Sequence, residues 1–325
     1  MSRRLIFIFP GQASQYVGMG RDLYDHSPAA RAVMDAIAAL EGLAGIPDLC
    51  WNGPEELLTR TDNVQPAITT VSLMALAALR DSRPDATPAA CAGHSLGEYA
   101  AHFAAGNLTL GQTMTLVHWR GFWMNEASQP PHPAGAMLAV MGLTLEQVTE
   151  AVAQVGADRL AVANLNSPGQ IIISGEKSAV EEAEPVARTL GAKRCVMLKV
   201  SGAWHSPLML PAQAKMAELL KREIAPEKTS FNPAIPVVAN ATADVVDSLG
   251  AMRDTLIRQI TSPVRWEACV VRLLQIAGSQ PPPLFIEVGP GTVLKGLLRN
   301  IDKSLEVVNV QDNSGLDSLT ASLDQ

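Results

Sequence analysis

Short apolar runs alternate with longer stretches in which apolar residues recur at helical spacing along this 325-residue chain. A short apolar run bounded by Gly or Pro predicts a buried strand, and helical spacing predicts an amphipathic helix. The predicted strands are Leu5 to Phe9, Ala89 to Gly93, Val237 to Asn240 and Leu284 to Val288. The predicted helices are Ala67 to Leu79, Leu96 to Ala105, Leu110 to Ala127, Ala212 to Glu223 and Met252 to Ile260. The alternation predicts an α/β fold with a mostly parallel sheet and helices on both faces.

A segment in the middle of the chain has a different order of predicted elements. Its pattern predicts, in turn, a strand, a helix, two strands, a helix and a strand: Ala134 to Val140, Thr144 to Val155, Leu160 to Asn164, Gln170 to Ser174, Ser178 to Leu190 and Lys193 to Leu198. This β-α-β-β-α-β order is that of the ferredoxin-like unit. We therefore predict a small ferredoxin-like α+β subdomain at residues 129–198, entered through the stiff Pro-rich linker of residues 130–133. Residues 1–128 and 199–325 then form one large catalytic domain.

The last residues of the chain have a different composition. After about Asp312, Ser, Asp and Gly accumulate without strong periodicity. Because such a composition buries little apolar surface, we predict a disordered tail.

The charge balance limits the classes of partner. The chain has 25 Lys and Arg against 32 Asp and Glu, a net charge of −7. Nucleic acid and anionic membranes attract clustered positive charge, so we expect neither as the main partner. The sequence also has no continuous apolar run long enough to span a bilayer.

The cysteines and the first apolar run both favour a cytoplasmic protein. The four cysteines are far apart, lie in apolar segments and show no C-x-x-C spacing: Cys50, Cys91, Cys195 and Cys269. Reduced, packed thiols fit this pattern. The first apolar run stops at Pro10, too early for a signal sequence, so we expect it to be a buried strand.

One pentapeptide carries a candidate nucleophile. Residues 93–97 read Gly-His-Ser-Leu-Gly, a G-x-S-x-G pattern, where a predicted strand gives way to a predicted helix. A sharp strand-to-helix turn strains its central serine, and side chains two positions away on either side would collide with the turn. The turn aims the Ser95 hydroxyl at the N-terminus of the helix, whose free amides can stabilise an oxyanion. Because this elbow is typical of α/β-hydrolases, we expect a hydrolase-like large domain.

A serine nucleophile needs a base, and the chain has six histidines. His205 follows the last strand of the predicted subdomain, in a loop at a domain junction, where functional residues are often found. His94 adjoins Ser95, but neighbouring side chains of an elbow point in different directions. The other four lie on predicted helices or at predicted surface positions: His26, His102, His118 and His132. His205 is singled out by its loop position, and a structural role stays the alternative for each of the six histidines on the residues alone.

Seven ordered sequence blocks extend from Phe9 to the region near Leu298. They are residues 9–15, FPGQASQ; 65–67, QPA; 93–99, GHSLGEY; 120–121, RG; 164–170, NLNSPGQ; 205–209, HSPLM; and 287–291, EVGPG. The set resembles the malonyl-CoA:acyl carrier protein transacylases, the acyltransferase family of fatty acid and polyketide synthesis. The resemblance covers almost the whole chain, although Ala13 stands where the family commonly has Gly.

This resemblance implies a serine acyltransferase that works in two steps. Ser95 attacks the thioester of malonyl-CoA, and His205 serves as base and then as acid. The backbone carbonyl of Gln259, rather than a carboxylate, is implied to orient His205. The malonyl-serine then passes its acyl group to the phosphopantetheine thiol of acyl carrier protein. Backbone amides of Gln12 and Leu96 are implied as the oxyanion hole.

Arg120 is implied as the residue that selects malonate. Malonate differs from acetate by a free carboxylate, which a guanidinium binds through two charge-assisted hydrogen bonds. Gln65, His94 and Asn166 are expected in the same pocket. Trp204 stands where the family often has Phe or a smaller residue. Its indole either narrows the space at the malonyl α-carbon, which favours malonyl over methylmalonyl, or packs away from the pocket.

The resemblance also implies the partners. Malonyl-CoA is the expected thioester substrate, with no bound cofactor and no metal. Acyl carrier proteins are strongly acidic, so we expect a local basic patch despite the negative net charge. Lys193, Arg194 and Lys199 are the candidate docking residues, and solvated surface positions are the alternative interpretation.

Other functions stay open on the sequence alone. An acyltransferase subunit of malonate decarboxylase, or a trans-acting polyketide acyltransferase, would share the chemistry and differ in partner. A serine esterase or thioesterase of the hydrolase class usually has its histidine near the C-terminus, whereas His205 is followed by 120 residues. Such an enzyme also has no need of Arg120. A non-catalytic scaffold would not need a nucleophile, a base and a carboxylate-binding arginine together.

Overall fold

The structure is a computed structural model that describes residues 3–278 and 281–324, and it contains two β-sheets. The predicted domain limits at residues 1 and 325 lie outside the described residues. The strands are β1 (Leu5–Phe9), β2 (Pro88–Gly93), β3 (Gly135–Met141), β4 (Leu160–Ser167), β5 (Gln170–Glu176), β6 (Arg194–Met197), β7 (Val237–Val238), β8 (Leu284–Val288) and β9 (Glu306–Val310).

The described helices include all five that the apolar spacing predicts. They are α1 (Arg21–His26), α2 (Pro28–Ala38), α3 (Ile46–Asn52), α4 (Glu55–Leu58), α5 (Thr61–Ser82), α6 (Gly97–Ala104), α7 (Leu110–Glu126), α8 (Leu145–Val155), α9 (Lys177–Thr189), α10 (Leu210–Glu223), α11 (Leu249–Gln259), α12 (Trp266–Ala277), α13 (Val293–Ile301) and α14 (Asn313–Leu323). Helix α5 begins at Thr61, before the predicted start at Ala67, and it contains Pro66. None of the described helices has both the length and the apolarity that a membrane crossing requires.

Five parallel strands form the larger sheet, in the order β7-β2-β1-β8-β9. All five residues of the central strand β1 are buried. A parallel sheet is covered on both faces, so its strands have continuous apolar runs, which is why β1 and β8 coincide with the predicted strands. The prediction of a mostly parallel sheet within an α/β fold is confirmed. Strand β2 ends at Gly93, directly before the G-x-S-x-G turn.

The smaller sheet is antiparallel, with the order β4-β5-β3-β6. Helices α8 and α9 pack on one face, around a core that includes Leu138, Ile173 and Val180. Alternate residues of β3, Met137 and Ala139, point to the opposite face and line a cavity. The β-α-β-β-α-β element order of this segment is the one that the sequence pattern predicts.

Strand β4 connects the smaller sheet to the rest of the molecule. The backbone N–H of Leu165 donates to the Val264 carbonyl at 2.9 Å, and the Val264 N–H donates to the Ala163 carbonyl at 2.9 Å. Val264 lies in the loop between α11 and α12. These bonds hold β4 beside the loop that follows Gln259.

The prediction of a disordered tail after Asp312 is wrong. The Asp312 side chain accepts a hydrogen bond from the Gly315 N–H at 2.9 Å and caps helix α14. Leu316 and Leu319, three positions apart, are buried under this helix. A good N-cap and one apolar helical face outweigh a polar composition in so short a segment.

Candidate active site

Ser95 lies at the tip of the turn between β2 and α6, with a left-handed φ of 50°. A Cβ atom on Gly93 would overlap the backbone of Gly97, and a Cβ atom on Gly97 would overlap the backbone of Phe9. Both positions therefore require glycine. A left-handed φ costs a non-glycine residue about 1–2 kcal/mol, so the surrounding structure must hold the turn. The sequence pattern predicts this strained elbow.

His205 contacts the nucleophile directly. Its Nε2 lies 2.7 Å from Ser95 Oγ, and its Nδ1 lies 2.8 Å from the backbone carbonyl oxygen of Gln259. A carbonyl only accepts, so Nδ1 carries the proton and Nε2 presents a lone pair to the serine hydroxyl. The geometry can move a proton from Ser95 to His205 without a carboxylate behind the imidazole.

The pKa of His205 is lowered to about 3. Burial is the main cause, since only 3% of the residue is exposed, and the positive charge of Arg120 adds to it. The carbonyl of Gln259 acts in the opposite direction because it accepts from the Nδ1–H. The neutral imidazole is therefore the resting form, ready to accept a proton.

Arg120 is fully buried on helix α7, behind Ser95. Its Nη1 donates to Gln65 Oε1 at 2.6 Å, and its Nη2 donates to both Ser95 Oγ and Gln259 Oε1 at 3.1 Å. Its Nε has no acceptor among the described residues. Burial lowers the pKa of the guanidinium. The charges of Tyr99 and Glu98 act in the opposite direction. A buried cation that forms no salt bridge within the described residues is suited to bind an anion, because burying a charge is costly.

Gly121 explains how Arg120 reaches Gln65. A Cβ atom on Gly121 would lie 2.7 Å from the carbonyl oxygen of Thr61. Without that Cβ, helix α7 packs closely on α5, which carries Gln65. Arg120 therefore supplies the charge, and Gly121 permits the close packing of α7 on α5 that positions the guanidinium.

Two backbone amides near Ser95 are free of protein acceptors. Neither the N–H of Gln12 nor that of Leu96 donates a hydrogen bond within the described part of the chain. Gln12 lines the same cavity as Ser95, and Leu96 is the N-cap residue of α6. The Gln12 side chain is fixed by a 3.2 Å bond to Thr61 Oγ1. Free donors at a helix N-terminus can bind an oxyanion.

A cavity of about 410 Å³ opens in front of Ser95, between the elbow, the open face of the smaller sheet and α13. Eight of the predicted site residues line it: Gln12, His94, Ser95, Asn166, Arg194, Lys199, Trp204 and His205. Gln65, Arg120 and Gln259 are fully buried. The structure thus brings together the predicted nucleophile, base and arginine.

Comparison with known proteins identifies the fold around this site. The sequence model of the family described as "Acyl transferase domain" matches residues 6–314. The chain belongs to this family. It is 41% identical over 314 residues to the malonyl CoA-acyl carrier protein transacylase of Bacillus subtilis, covering 95% of this chain and 94% of the relative. It is 37% identical over 312 residues to the Escherichia coli protein of the same name, covering 95% and 96%.

Solved structures of similar proteins match the whole acyl transferase domain. An acyl carrier protein S-malonyltransferase from Vibrio cholerae has a TM-score of 0.87 and 37% identity, covering 97% of this chain and 99% of the other. A malonyl-transacylase solved in complex with a type II polyketide synthase acyl-carrier protein has a TM-score of 0.88 and 35% identity, covering 98% and 99%.

His94 and Asn166 form a second contact in the acyl transferase cavity. His94 Nε2 lies 2.8 Å from Asn166 Oδ1, and the imidazole ring packs edge-on against Trp266. Burial lowers the pKa of His94. The His94 ring is hydrogen-bonded to Asn166, whereas Ser95 Oγ contacts His205. His94 is therefore not positioned to take the Ser95 proton.

Trp204 lines the cavity and is 5% exposed. Its six-membered ring lies over Gly202, where a Cβ atom would overlap the indole. That the indole narrows the space at the malonyl α-carbon stays a prediction.

Sequence reasoning missed two polar residues of this acyl transferase site. Asn240, at the end of a predicted strand, accepts from the Ser95 N–H at 2.6 Å. Glu98, one residue after the pentapeptide, is fully buried and accepts from the Asn240 N–H at 2.9 Å and from Gln259 Nε2 at 2.7 Å. Burial raises the pKa of Glu98 to about 7. Glu98 lies within the 93–99 block of the family resemblance, but its charge on a predicted helix reads as a solvated position.

The three predicted docking residues are exposed and have no ion-pair partner among the described residues. Arg194 and Lys199 lie at the cavity wall, whereas Lys193 lies against Gly142. Within residues 3–278 and 281–324, no group of three or more His, Cys, Asp or Glu is placed to hold a metal ion.

Proposed function

We propose that the protein transfers the malonyl group of malonyl-CoA to the phosphopantetheine thiol of acyl carrier protein, through a malonyl-serine at Ser95. One observation carries the proposal: His205 Nε2 and Arg120 Nη2 both contact Ser95 Oγ, at 2.7 and 3.1 Å. The base and a buried guanidinium thus both contact the hydroxyl oxygen of the nucleophile. The names of the relatives support the same reaction.

In the first half of the reaction, Ser95 Oγ attacks the thioester carbonyl while His205 Nε2 takes the hydroxyl proton. The carbonyl oxygen becomes an oxyanion, which the free N–H groups of Gln12 and Leu96 stabilise. The C–S bond then breaks, and His205 returns the proton to the coenzyme A thiolate. Each donor of such an oxyanion hole typically contributes about 3 kcal/mol.

In the second half, the same groups work in the opposite order. His205 takes the proton of the carrier-protein thiol, and the thiolate attacks the malonyl-serine ester. The oxyanion forms in the same place, the C–O bond breaks, and Ser95 recovers its proton from His205. Gln259 supports both halves because its carbonyl fixes the ring and stabilises imidazolium at Nδ1.

Arg120 gives the site its acyl specificity. The malonyl carboxylate would accept from the guanidinium at Nη2, the atom that reaches Ser95 Oγ. Gln65 accepts a hydrogen bond from Nη1 and so holds the guanidinium group in place. An acetyl group would leave the buried charge without this partner.

The other cavity residues shape the space around the acyl and pantetheine groups. His94 and Asn166 line one wall as a hydrogen-bonded pair, and Trp204 lines another. The exposed cations Arg194 and Lys199 at the cavity, with Lys193 close by in sequence, face the acidic carrier protein.

We also propose a division of the chain into two domains. Residues 129–198 form a ferredoxin-like subdomain, a proposal supported by the strand order β4-β5-β3-β6 with both helices on one face. Residues 1–128 and 199–325 form the hydrolase-like catalytic domain that carries the Ser95 elbow. The site then lies between the two, as ligand sites often do.

Two experiments test the proposal. The protein is incubated with radiolabelled malonyl-CoA and a purified holo carrier protein, with the apo carrier protein as control. Label on the holo carrier supports transfer, whereas label released only as free malonate means that the protein is a hydrolase. Intact mass spectrometry should find malonyl-enzyme in the wild type and none in Ser95→Ala.

The choice of carrier protein separates the related alternatives. Carrier proteins of fatty acid synthesis, polyketide synthesis and malonate decarboxylation are offered in parallel at equal concentration. The highest kcat/KM identifies the pathway, since the acyl chemistry is the same for all three.

A further inference from the structure

The carboxylate of Glu98 is buried directly behind the Ser95 elbow. Its Oε2 accepts two hydrogen bonds, from the backbone N–H of Asn240 at 2.9 Å and from Gln259 Nε2 at 2.7 Å. Its Oε1 has no partner in the described part of the chain. The acyl-transfer steps leave this carboxylate without a chemical task. The two donated hydrogen bonds and the positive charge of Arg120 offset part of the cost of burying this carboxylate, and desolvation remains the largest effect on its pKa. A buried carboxylate therefore requires an explanation.

Asn240, the first partner of Glu98, holds both ends of the strained turn. Its Oδ1 accepts from the Ser95 N–H at 2.6 Å, and its Nδ2 donates to the Gly93 carbonyl at 2.7 Å. The Asn240 side chain therefore ties the Ser95 N–H to the Gly93 carbonyl and helps to hold the left-handed conformation of Ser95.

Gln259, the second partner, holds the nucleophile and the base together. Its Nε2 donates to the Ser95 carbonyl at 2.9 Å as well as to Glu98. Its backbone carbonyl accepts from His205 Nδ1 at 2.8 Å. Any rotation of the Gln259 side chain would thus disturb the Ser95 turn.

We propose that Glu98 is a positioning residue, whose Oε2 fixes Asn240 and Gln259 and through them the relative placement of Ser95 and His205. The inference rests on the proposed function only in assuming that these two residues react. Displacement of a reacting group by about 1 Å can cost about 100-fold in rate. The role requires a hydrogen-bond acceptor at Oε2 and sets no requirement at Oε1, which has no partner among the described residues.

Three variants test this role. Glu98→Ala removes the acceptor, Glu98→Gln keeps an acceptor of the same shape, and Asn107→Ala is the matched control. Asn107 is buried and accepts from the half-buried Asn232 N–H at 2.8 Å, so its loss also leaves a backbone donor unpaired, away from the elbow. For each variant, Tm, the fraction of active sites, and kcat and KM for malonyl-CoA are measured. Ser95 reactivity is measured separately, as the rate of sulfonylation by phenylmethanesulfonyl fluoride.

We expect Glu98→Ala to lower kcat per active site and the sulfonylation rate by about 100-fold, with little change in KM. Glu98→Gln should stay within about threefold of the wild type, because the hydrogen bonds to Oε2 are kept. Asn107→Ala should lower Tm and keep both rates. The proposal is overturned if Glu98→Ala keeps wild-type rates, or if Glu98→Gln is as slow as Glu98→Ala. A wild type that is sulfonylated but never malonylated would instead refute the proposed function.

Discussion

The Nη2 atom of Arg120 donates a hydrogen bond to Ser95 Oγ, the atom that we propose attacks the substrate. The buried cation is thus in contact with the proposed nucleophile. A bound malonyl carboxylate would draw this donor away from the hydroxyl and offset the positive charge that disfavours imidazolium at His205. Recognition of the carboxylate and activation of the serine are therefore coupled through one side chain.

Replacing Arg120 should change the choice of acyl group. We expect Arg120→Ala to lower kcat/KM for malonyl-CoA by about 100-fold or more, since two charge-assisted hydrogen bonds are lost. Turnover of acetyl-CoA should change far less. Arg120→Lys should recover only part of the malonyl activity, because Lys lacks the planar fork. Steady-state kinetics with both donors measures the ratio, with Arg188→Ala on the exposed face of α9 as control. An unchanged malonyl preference in Arg120→Ala would rule out this role.

The lowered pKa of His205 predicts an unusual pH profile. With a pKa of about 3, the base stays neutral at every pH from 5 to 8. The kcat/KM for malonyl-CoA, which reports the free enzyme, should therefore stay nearly constant over this range. A histidine with an ordinary pKa of about 6.5 would lose roughly tenfold by pH 5.5. Stopped-flow acylation at constant ionic strength measures the profile, and a tenfold loss per pH unit starting near 6.5 would contradict the prediction.

Ala13 adopts a left-handed φ of 78° in the turn after β1. Such a φ costs Ala about 1–2 kcal/mol, whereas Gly costs about 0.5–1 kcal/mol in chain entropy. We therefore expect Ala13→Gly to raise the free energy of unfolding by about 0.5–1 kcal/mol. Urea denaturation measures the change. Ala32→Gly, at an exposed position inside α2, is the control and should lower it by a similar amount. Equal destabilisation by both substitutions would show that the Ala13 turn carries no strain.

Local patterns in the sequence predict the parts of the site that local sterics create. The glycines at 93 and 97 predict the Ser95 elbow because the collisions they avoid lie within the turn and the adjoining strand. The Glu98 and Asn240 contact joins positions 142 residues apart, so no spacing rule reveals it. The residue pattern singles out His205 only by its loop position, and its role as the base rests on the family resemblance. The role of Gln259 rests on the resemblance alone, since a backbone carbonyl leaves no signal in residue types.

Helix α14 and strand β9 show that composition and periodicity alone do not predict every element. Residues after Asp312 have the polarity of a disordered tail, yet α14 forms because Leu316 and Leu319 share one face. Strand β9, at the edge of the larger sheet, was not predicted, since its short pattern of buried and exposed residues lacks a continuous apolar run. Tertiary packing decides such segments, and single-sequence periodicity does not record it.

Trp204 at the cavity wall predicts discrimination against a substituted malonyl group. Trp204→Phe removes part of the indole and should raise kcat/KM for methylmalonyl-CoA relative to malonyl-CoA by about tenfold, the usual effect of room for one methyl group. Competition between the two donors, followed by mass spectrometry of the acyl-enzyme, measures the ratio. Trp119→Phe, on the outer part of α7, is the matched control. If the ratio stays unchanged in Trp204→Phe, the indole does not contact the α-carbon.

Glu287 predicts how stability depends on pH. It is buried in β8, and its two carboxyl oxygens accept from the N–H groups of Leu294 and Lys295 at 2.9 and 3.0 Å, at the start of α13. Burial raises its pKa from 4.5 to about 7. A folded-state pKa above the unfolded value favours the protonated form. The stability that this group contributes is therefore fully present below pH 4.5 and is lost as pH rises through about 7.

Glu287→Gln isolates this contribution because glutamine mimics the protonated acid and cannot ionise. The difference in free energy of unfolding, wild type minus variant, should fall by roughly 3 kcal/mol between pH 4.5 and pH 7.5. Urea denaturation across that range measures it. Glu98, whose pKa is also raised, and the buried histidines, whose pKa values are lowered, titrate equally in both proteins and cancel in the difference. A difference that does not vary with pH would mean that Glu287 is already ionised in the folded protein, with the α13 amides offsetting its burial.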